Sequence, residues 1–571
     1  MRRPPIGRLV ALLFVMCLAL GAIFVRLTVL QVSQAADLRN RAADQRVRTV
    51  DLPAQRGQIL DRSGERLALS MPARDVYADP RYVVDPWATA TRLAPELGVR
   101  TGPLVDKLTA DTTFVYLARQ VDLPVAERIA GMELPGIGFL EVSKRYYPAG
   151  ALAGQLLGFV DVDGEGIAGL ELQYQDLLAG EPGERTQELD PYGLPIVGGV
   201  DVQRPPVAGA SIETTIDRDL QFQAEAALEE AVAQQRARGG TVIVMDVRTG
   251  DILAMTSYPW FDPNHFAEAD PATYRNRAVT DVFEPGSTNK VITAAAAVQE
   301  RALPLDQRLS VAWTMRVGEF TIHDSHPHGV LRMTLADIIA ESSNIGAVHV
   351  ANRVGEADMA TYLSRFGLGR QTGIGFPGEA DGITLPLSEW TDTTLATSAY
   401  GQGLAASPLQ MVSVYAAIAN DGRWIQPRLV RATIGADGTR LEEPASPTHR
   451  VVSAASAEMV SRMLAYAVEH GTGQSARIEG YQVAGKTGTA RIPLPDRPGY
   501  VEGEYLASFI GYLPAGDPEV VVAAILDRPV QGYGGLAAAP LFQRVARAAI
   551  ARLGIEPADL LPLPVHALPL R

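Results

Sequence analysis

The chain has 571 residues, enough for more than one domain, and its 47% hydrophobic and 20% charged residues are the balance of ordinary globular material, not of a disordered or repetitive polymer. A formal net charge of -14 with no basic stripe argues against a nucleic-acid partner. The only cysteine is Cys17, inside an apolar N-terminal stretch, so neither an internal disulfide nor a cysteine-based metal site is possible.

Taken in order, Arg2, Arg3 and Arg8 precede the uncharged run Leu9 to Val25; Arg26 interrupts it and Leu27 to Val32 continues it. Residues 9–32 are long enough to cross a bilayer as one helix, which needs about 20 residues, and Arg26 can snorkel to the interface. Ser33-Gln-Ala35 has the small-x-small form of a cleavage site, but the apolar span is long for a signal peptide. An uncleaved single-pass anchor is expected, with residues 1–8 as a cytoplasmic tail. Arg39, Arg41 and Arg46 nearly balance the N-terminal arginines, so charge alone leaves the orientation open. A polar, helix-favouring segment follows from Ala35 to about Arg48.

Ile59-Leu60 and Leu67 to Leu69 flank the polar turn Asp61-Arg-Ser-Gly64 and predict a structural hairpin. Residues 76 to 205 mix short strands with helices such as Val84–Leu97 and Pro124–Ile129, broken by Gly180–Gly183 and Tyr192–Gly199. No catalytic pattern is visible there, so 33–206 reads as a pedestal or docking domain with an α+β make-up. A boundary falls near Val207 to Ala210. Beyond it, Leu220–Arg238 predicts a helix, and Gly240–Asp246 and Asp251–Ser257 predict a hairpin turned at Arg248-Thr-Gly250. Near the other end, Tyr481–Gly485 is a strand running into Lys486-Thr-Gly-Thr489. Leu506–Leu513 and Glu519–Leu526 form an antiparallel pair, and Leu536–Leu553 is a closing helix. Strands at both ends with helices between imply a central antiparallel sheet flanked by helices, its first and last strands adjacent, over 207–555. The Pro/Leu-rich tail 556–571 is expected to be loosely packed.

The chemistry concentrates in three short elements. In Phe283-Glu-Pro-Gly-Ser-Thr-Asn-Lys290, Pro285 and Gly286 make a turn and Val291–Val298 a helix. Ser287 sits near the helix N-terminus, where free N–H groups favour developing negative charge, and Lys290 shares its face three residues on. A serine beside a lysine is a nucleophile beside a base, provided burial or another cation lowers the lysine pKa. Ser342-Ser-Asn344 lies between two helices, and Lys486-Thr-Gly488, followed by Thr489, lies on an edge-like strand. Each alone is weak, since a cap or a turn explains it. Together they supply nucleophile, base, a serine/asparagine bridge and a cationic strand for a carboxylate. Residue economy points the same way. Of 51 Lys+Arg only four are lysines, Lys107, Lys144, Lys290 and Lys486, so from residue 145 onward lysine occurs only in these elements. Arginine cannot give up its proton in a protein, whereas lysine can.

In these residues the chain resembles the penicillin-binding proteins and serine β-lactamases, and most closely a class B penicillin-binding protein. The resemblance spans almost the whole chain: Arg56-Gly57, Asp61-Arg62 and Gly64, Gly164 to Glu171, Thr215-Ile-Asp217, Tyr258-Pro259 with Asp262-Pro-Asn264, Tyr400-Gly-Gln-Gly403 and Pro408-Leu-Gln410 all match. Glu284-Pro285 and Gly485-Lys-Thr-Gly-Thr-Ala490 look like the septal type, with the elongation type as the alternative. The resemblance implies a peptidoglycan D,D-transpeptidase, with Ser287 as nucleophile, Lys290 as base and Ser342 as proton relay. Asn344 would hold the donor amide. Lys486, Thr487, Gly488 and Thr489 would bind the terminal carboxylate, and the N–H groups of Ser287 and Thr489 would form the oxyanion hole. No cofactor and no metal are implied.

Glu379, in Phe376-Pro-Gly-Glu379, could activate a deacylating water as a β-lactamase requires, but it matches a class B element instead. His323, His326 and His328 could hold a metal, although a polar loop at the cleft rim explains them as well. The partners implied are stem peptides of a lipid-linked precursor polymer, β-lactams, a SEDS-family glycosyltransferase, other division proteins and the membrane. The implied location is the cytoplasmic (inner) membrane with the catalytic domain on the periplasmic side. A D,D-carboxypeptidase or β-lactamase would differ in using water as acceptor. A reading of another class is a division scaffold or β-lactam sensor with vestigial acylation.

Overall fold

The computed structural model describes residues 6–35, 37, 46–188, 196–494, 496–497 and 499–564. Most of the polar segment expected after the anchor, half of the 192–199 break and the end of the tail lie outside the described residues. The chain divides into two compact units, Met1–Gln55 with Gly180–Ala208, and Arg56–Ala179 with Gly209–Arg571. In the first, the apolar stretch forms the helix Ile6–Thr28, extended by a looser turn to Ser33, with no buried residue along it. Val47–Leu52, Gly183–Glu188 and Asp201–Arg204 make a three-stranded antiparallel sheet.

Among the described residues the second unit holds two large sheets and three two-stranded ones. The pedestal sheet contains the expected hairpin, Ile59 opposite Ala68, beside the strands Val115–Asp122 and Ile137–Tyr146. Ser211–Thr214, Val430–Ile434 and the edge strand Arg440–Glu442 complete it, Ile59 pairing in parallel with Ile212. One sheet therefore runs across the sequence boundary near Val207. At its base a buried cluster ties distant segments together: Glu171 accepts from Arg56 Nε and Arg145 Nε, both at 2.7 Å, and Arg145 also donates to the Gly57 carbonyl. The expected helices are Pro86–Leu97, with Asp85 as N-cap, and Leu123–Ala130.

The central sheet comprises β1 (Gly239–Asp246), β2 (Ile252–Tyr258), β3 (Ala484–Pro493), β4 (Tyr500–Leu513) and β5 (Val520–Asp527). Its order is β2-β1-β5-β4-β3, all antiparallel, so the first and last strands in sequence are neighbours and β3 is an edge. The strands read as almost continuous apolar runs because both faces are covered. Val242, Val244, Val520 and Val522 face α1 (Arg218–Gln235) and the C-terminal helix Gly534–Leu553. Ile243, Met245, Val521 and Ala523 face the helices on the other side, α2 (Lys290–Gln299), α3 (Leu335–Ala340), α4 (Asn344–Val354), α5 (Pro408–Ala419) and α6 (Ala454–Glu469). The period-2 alternation of strand side chains makes this two-core arrangement possible.

α2 is buried all round from Lys290 to Ala297, and its alanine run lets neighbouring helices approach closely. The described part of the tail, 556–564, is exposed or half-buried and is tied down near Leu561. Leu561 exchanges two hydrogen bonds with Gln482, at 2.8 and 3.1 Å, and Leu561 and Leu563 lie against the core, because even a Pro-rich segment docks where it can bury leucine.

Candidate active site

The nucleophile turn Gly286–Asn289 is a single tight turn feeding directly into α2. Gly286 has φ +54°, and a Cβ there would meet the Thr489 carbonyl at 3.0 Å, which is why glycine stands before the serine. The turn is held from several sides. Gly286 N–H donates to the Gly401 carbonyl (3.0 Å), Asn289 Nδ2 to the Ser398 carbonyl (2.7 Å), and Tyr415 OH to the Thr288 carbonyl (2.9 Å). The Tyr-Gly-Gln-Gly element is thus a brace for the turn.

Lys290 is 0% exposed and converges on all the serine-side residues expected from the sequence. Its Nζ lies 3.0 Å from Ser287 Oγ, 2.6 Å from the Ser342 carbonyl, 3.3 Å from Ser342 Oγ and 2.8 Å from Asn344 Oδ1. Burial holds the Lys290 pKa well below its ordinary value; the nearby Lys486 charge adds to this and Asp324 opposes it. A neutral amine has two N–H groups and one lone pair. The Ser342 carbonyl and Asn344 Oδ1 can take both N–H groups, leaving the lone pair for a hydroxyl. Ser342 has φ +62°, a left-handed conformation rare for serine, which accompanies the approach of its carbonyl to Lys290.

The third element occupies the edge strand β3. Lys486, 1% exposed, donates to Thr487 Oγ1 (3.1 Å) and the Thr487 carbonyl (3.3 Å), with Thr472 Oγ1 at 3.4 Å. Burial brings its pKa down to about 7, against a raising contribution from Glu341. Gly488 abuts the nucleophile turn: a Cβ there would meet Ser508 Oγ at 2.3 Å and Thr288 Cγ2 at 2.9 Å. Thr489 Oγ1 accepts from Gly534 N–H at 3.2 Å. Ser287, Lys290, Ser342 and Asn344 therefore form one hydrogen-bonded cluster, with the Lys486–Thr489 strand against the same turn.

Two contributors have no motif of their own. Asp324 accepts from Ser343 Oγ (2.7 Å) and from the N–H groups of Asn344 (2.5 Å) and Ile345 (3.0 Å), clamping the start of α4 where a carboxylate is favoured. Thr472 bridges to Thr487 Oγ1 at 2.8 Å. Asp324 lies within the His-Asp-Ser-His-Pro-His run, where attention falls on the histidines; Thr472 lies in Gly-Thr-Gly, where tight packing was the available signal. The histidines go separate ways. His328 Nε2 is 3.1 Å from Asp324, the His323 ring lies by Trp313 and the His326 ring by Tyr533. Among the described residues no group of three potential ligands gathers for a metal. Glu379 is occupied with Thr372, accepting from its N–H (2.7 Å) and Oγ1 (2.5 Å).

A serine hydroxyl against a buried lysine amine, at the N-terminus of a helix beside the edge of an antiparallel sheet, defines an active-site-serine acyltransferase. Residues 240–547 match the penicillin binding protein transpeptidase domain and residues 51–214 the penicillin-binding protein dimerisation domain. Penicillin-binding protein PbpB of Mycobacterium tuberculosis is 36% identical over 548 residues, covering 90% of this chain and 81% of that one. Peptidoglycan D,D-transpeptidase FtsI of Escherichia coli K12 is 34% identical over 553 residues, covering 95% and 91%. The crystal structure of penicillin binding protein 3 from M. tuberculosis complexed with aztreonam superposes with a TM-score of 0.72 at 32% identity, covering 90% of this chain and 100% of that one. The chain belongs to the penicillin-binding protein family, as a class B member with the serine-type D,D-transpeptidase fold and domain pair.

Proposed function

We propose that the protein cross-links peptidoglycan stem peptides during septal wall synthesis through an acyl-enzyme on Ser287. The observation that carries this reading is the fully buried Lys290 amine 3.0 Å from Ser287 Oγ, with acceptors for both of its N–H groups. Ser287 Oγ passes its proton to Lys290 and attacks the D-Ala-D-Ala carbonyl. The N–H groups of Ser287 and Thr489 hold the oxyanion. Ser342, hydrogen-bonded to Lys290, relays a proton to the leaving D-Ala nitrogen as the C–N bond breaks. Lys486, Thr487, Gly488 and Thr489 receive the terminal carboxylate, and Asn344 the donor amide. The amine of a second stem peptide then attacks the ester, the C–Oγ bond breaks, and the serine recovers its proton. A β-lactam enters as a donor mimic and stays as a slow ester.

The helix Ile6–Thr28 anchors the protein in the cytoplasmic membrane, with residues 207–555 as the catalytic domain on the periplasmic side and 33–206 as the pedestal. The anchor and pedestal meet a SEDS-family glycosyltransferase and other division proteins. The test is labelling with a fluorescent penicillin. Wild type is expected to take covalent label and Ser287→Ala none; undiminished label on Ser287→Ala would remove the nucleophile. Depletion in cells is expected to give filaments; rounded cells would favour an elongation role.

A further inference from the structure

The loop His323–His328 carries three histidines, and the last of them holds a position that a neutral ring cannot satisfy. His328 is half-buried, and both of its ring nitrogens face oxygen acceptors. Nδ1 lies 2.6 Å from the Gly329 carbonyl and Nε2 lies 3.1 Å from Asp324 Oδ2. A neutral imidazole has one N–H and one lone pair, so either tautomer would set its lone pair against an oxygen that has only lone pairs to offer. The imidazolium donates at both positions, and the short approach to Gly329 is that of a charge-assisted bond.

Asp324 links this ring to the catalytic cluster. It is buried, and besides His328 it accepts from Ser343 Oγ (2.7 Å), Asn344 N–H (2.5 Å) and Ile345 N–H (3.0 Å). The neighbouring His323 carbonyl accepts from Asn344 Nδ2 at 2.9 Å, while Asn344 Oδ1 accepts from Lys290 at 2.8 Å. A chain of contacts therefore runs from Gly329 through His328, Asp324 and Asn344 to the Lys290 amine. Other charged groups face the two ends of the ion pair. Glu341, at the end of α3, faces His328 together with Asp337, His326 and Lys486. Asp324 faces Lys290 on α2 and His349 on α4.

We propose that His328 is a positioning residue for acylation, an imidazolium that offsets the Asp324 charge and pins this carboxylate to the start of α4 beside Lys290. The inference rests on the reading of Lys290 as the base for Ser287, and it adds the group that holds the opposing carboxylate in check. Its sign is fixed by charge. The Asp324 carboxylate favours the Lys290 ammonium, against the effect of burial. Without the His328 cation, the full Asp324 charge acts on Lys290, the amine holds its proton more tightly, and the neutral base forms only at higher pH.

The experiment uses the full-length protein in detergent and has two arms. The first is NMR of the wild type with isotopically labelled histidine, the His328 ring being assigned through the Gly329 amide and so independently of any variant. Two ring N–H protons are expected at about pH 7.5, where an unperturbed histidine ring is mostly neutral. The second arm is the second-order rate of labelling by a fluorescent penicillin, followed against pH. His328→Gln keeps a donor for Asp324 but no charge. It should move the midpoint of the ascending limb up by about half a pH unit or more, so that labelling at the foot of the limb falls at least about threefold and the two profiles converge as pH rises. His328→Arg restores a permanent charge and should return at least about half of that shift. A single protonated ring nitrogen on His328 would overturn the proposal, whether or not either variant folds. So would a His328→Gln protein with an unmoved midpoint, including one whose rate falls by the same factor at every pH, the mark of a purely structural histidine. Labelled wild type with either of these results sinks the role of His328 alone. A wild type that takes no label at any pH sinks the acyl-enzyme reading and this role with it.

Discussion

Two of the places where the molecule buries charge do so in opposite ways. At the pedestal, Glu171 is fully buried between Arg56 and Arg145, with Gln175 and backbone carbonyls taking further guanidinium hydrogens. At the active site, Lys290 and Lys486 are just as buried, and among the described residues neither forms an ion pair. A buried charge with its counter-charge beside it holds segments together. An unpaired one must shift its pKa instead, and that shift is what a base requires. Residue choice follows the same division: arginine where the charge must persist, lysine where it must be given up.

The comparison can be broken most directly by restoring a permanent charge. Lys290→Arg should lower the rate of penicillin acylation by roughly 10³, the range for removing a general base, measured as the second-order labelling rate. Retained acylation would mean that the cation and not the neutral amine is needed. At the pedestal, Glu171→Gln should cost about 3 kcal/mol in urea denaturation, because two guanidinium groups lose their counter-charge. Acylation per folded molecule should hold, and a selective loss of acylation would tie the cluster to catalysis.

pH offers a third test. Acylation should rise as pH rises through the depressed Lys290 pKa, since only the neutral amine accepts a proton. Lys486 carries its charge only below about 7, so binding of a carboxylate-bearing penicillin should weaken above that pH. The descending limb should amount to about tenfold between pH 7 and pH 9 and be absent for the same β-lactam as its methyl ester. The smallest effect is on stability. Burial disfavours the Lys290 ammonium that the unfolded chain carries, which costs stability below its unfolded pKa, so Lys290→Met should raise stability by about 1 kcal/mol while abolishing acylation. A destabilised Lys290→Met would mean that the four contacts of the amine outweigh its desolvation.

Much of this was legible in the linear chain. The anchor, the hairpins 240–257 and 506–526 and the closing helix follow from apolar runs and turn residues, which are local signals. The nucleophile turn announced itself by Pro-Gly before a serine and by a lysine in a chain that otherwise uses arginine. Asp324 was not legible, because its role depends on facing the start of α4, twenty residues away, and an aspartate beside histidines carries no mark of that. The contacts of Leu561 and Leu563 were not legible either, because proline content dominates the local reading while these leucines act only through a surface that other segments build.

Sequence by itself determined the class of chemistry, since only certain side chains can serve as nucleophile, tunable base and carboxylate holder, and their types are written in the chain. Tertiary structure alone decided which of those groups lose water and partners. Lys290 is pushed toward the neutral amine because α2 is enclosed on every side, and Glu171 lies between two arginines that arrive from distant segments. Burial and pairing are properties of the assembled neighbourhood, and they set the proton affinity on which the function turns.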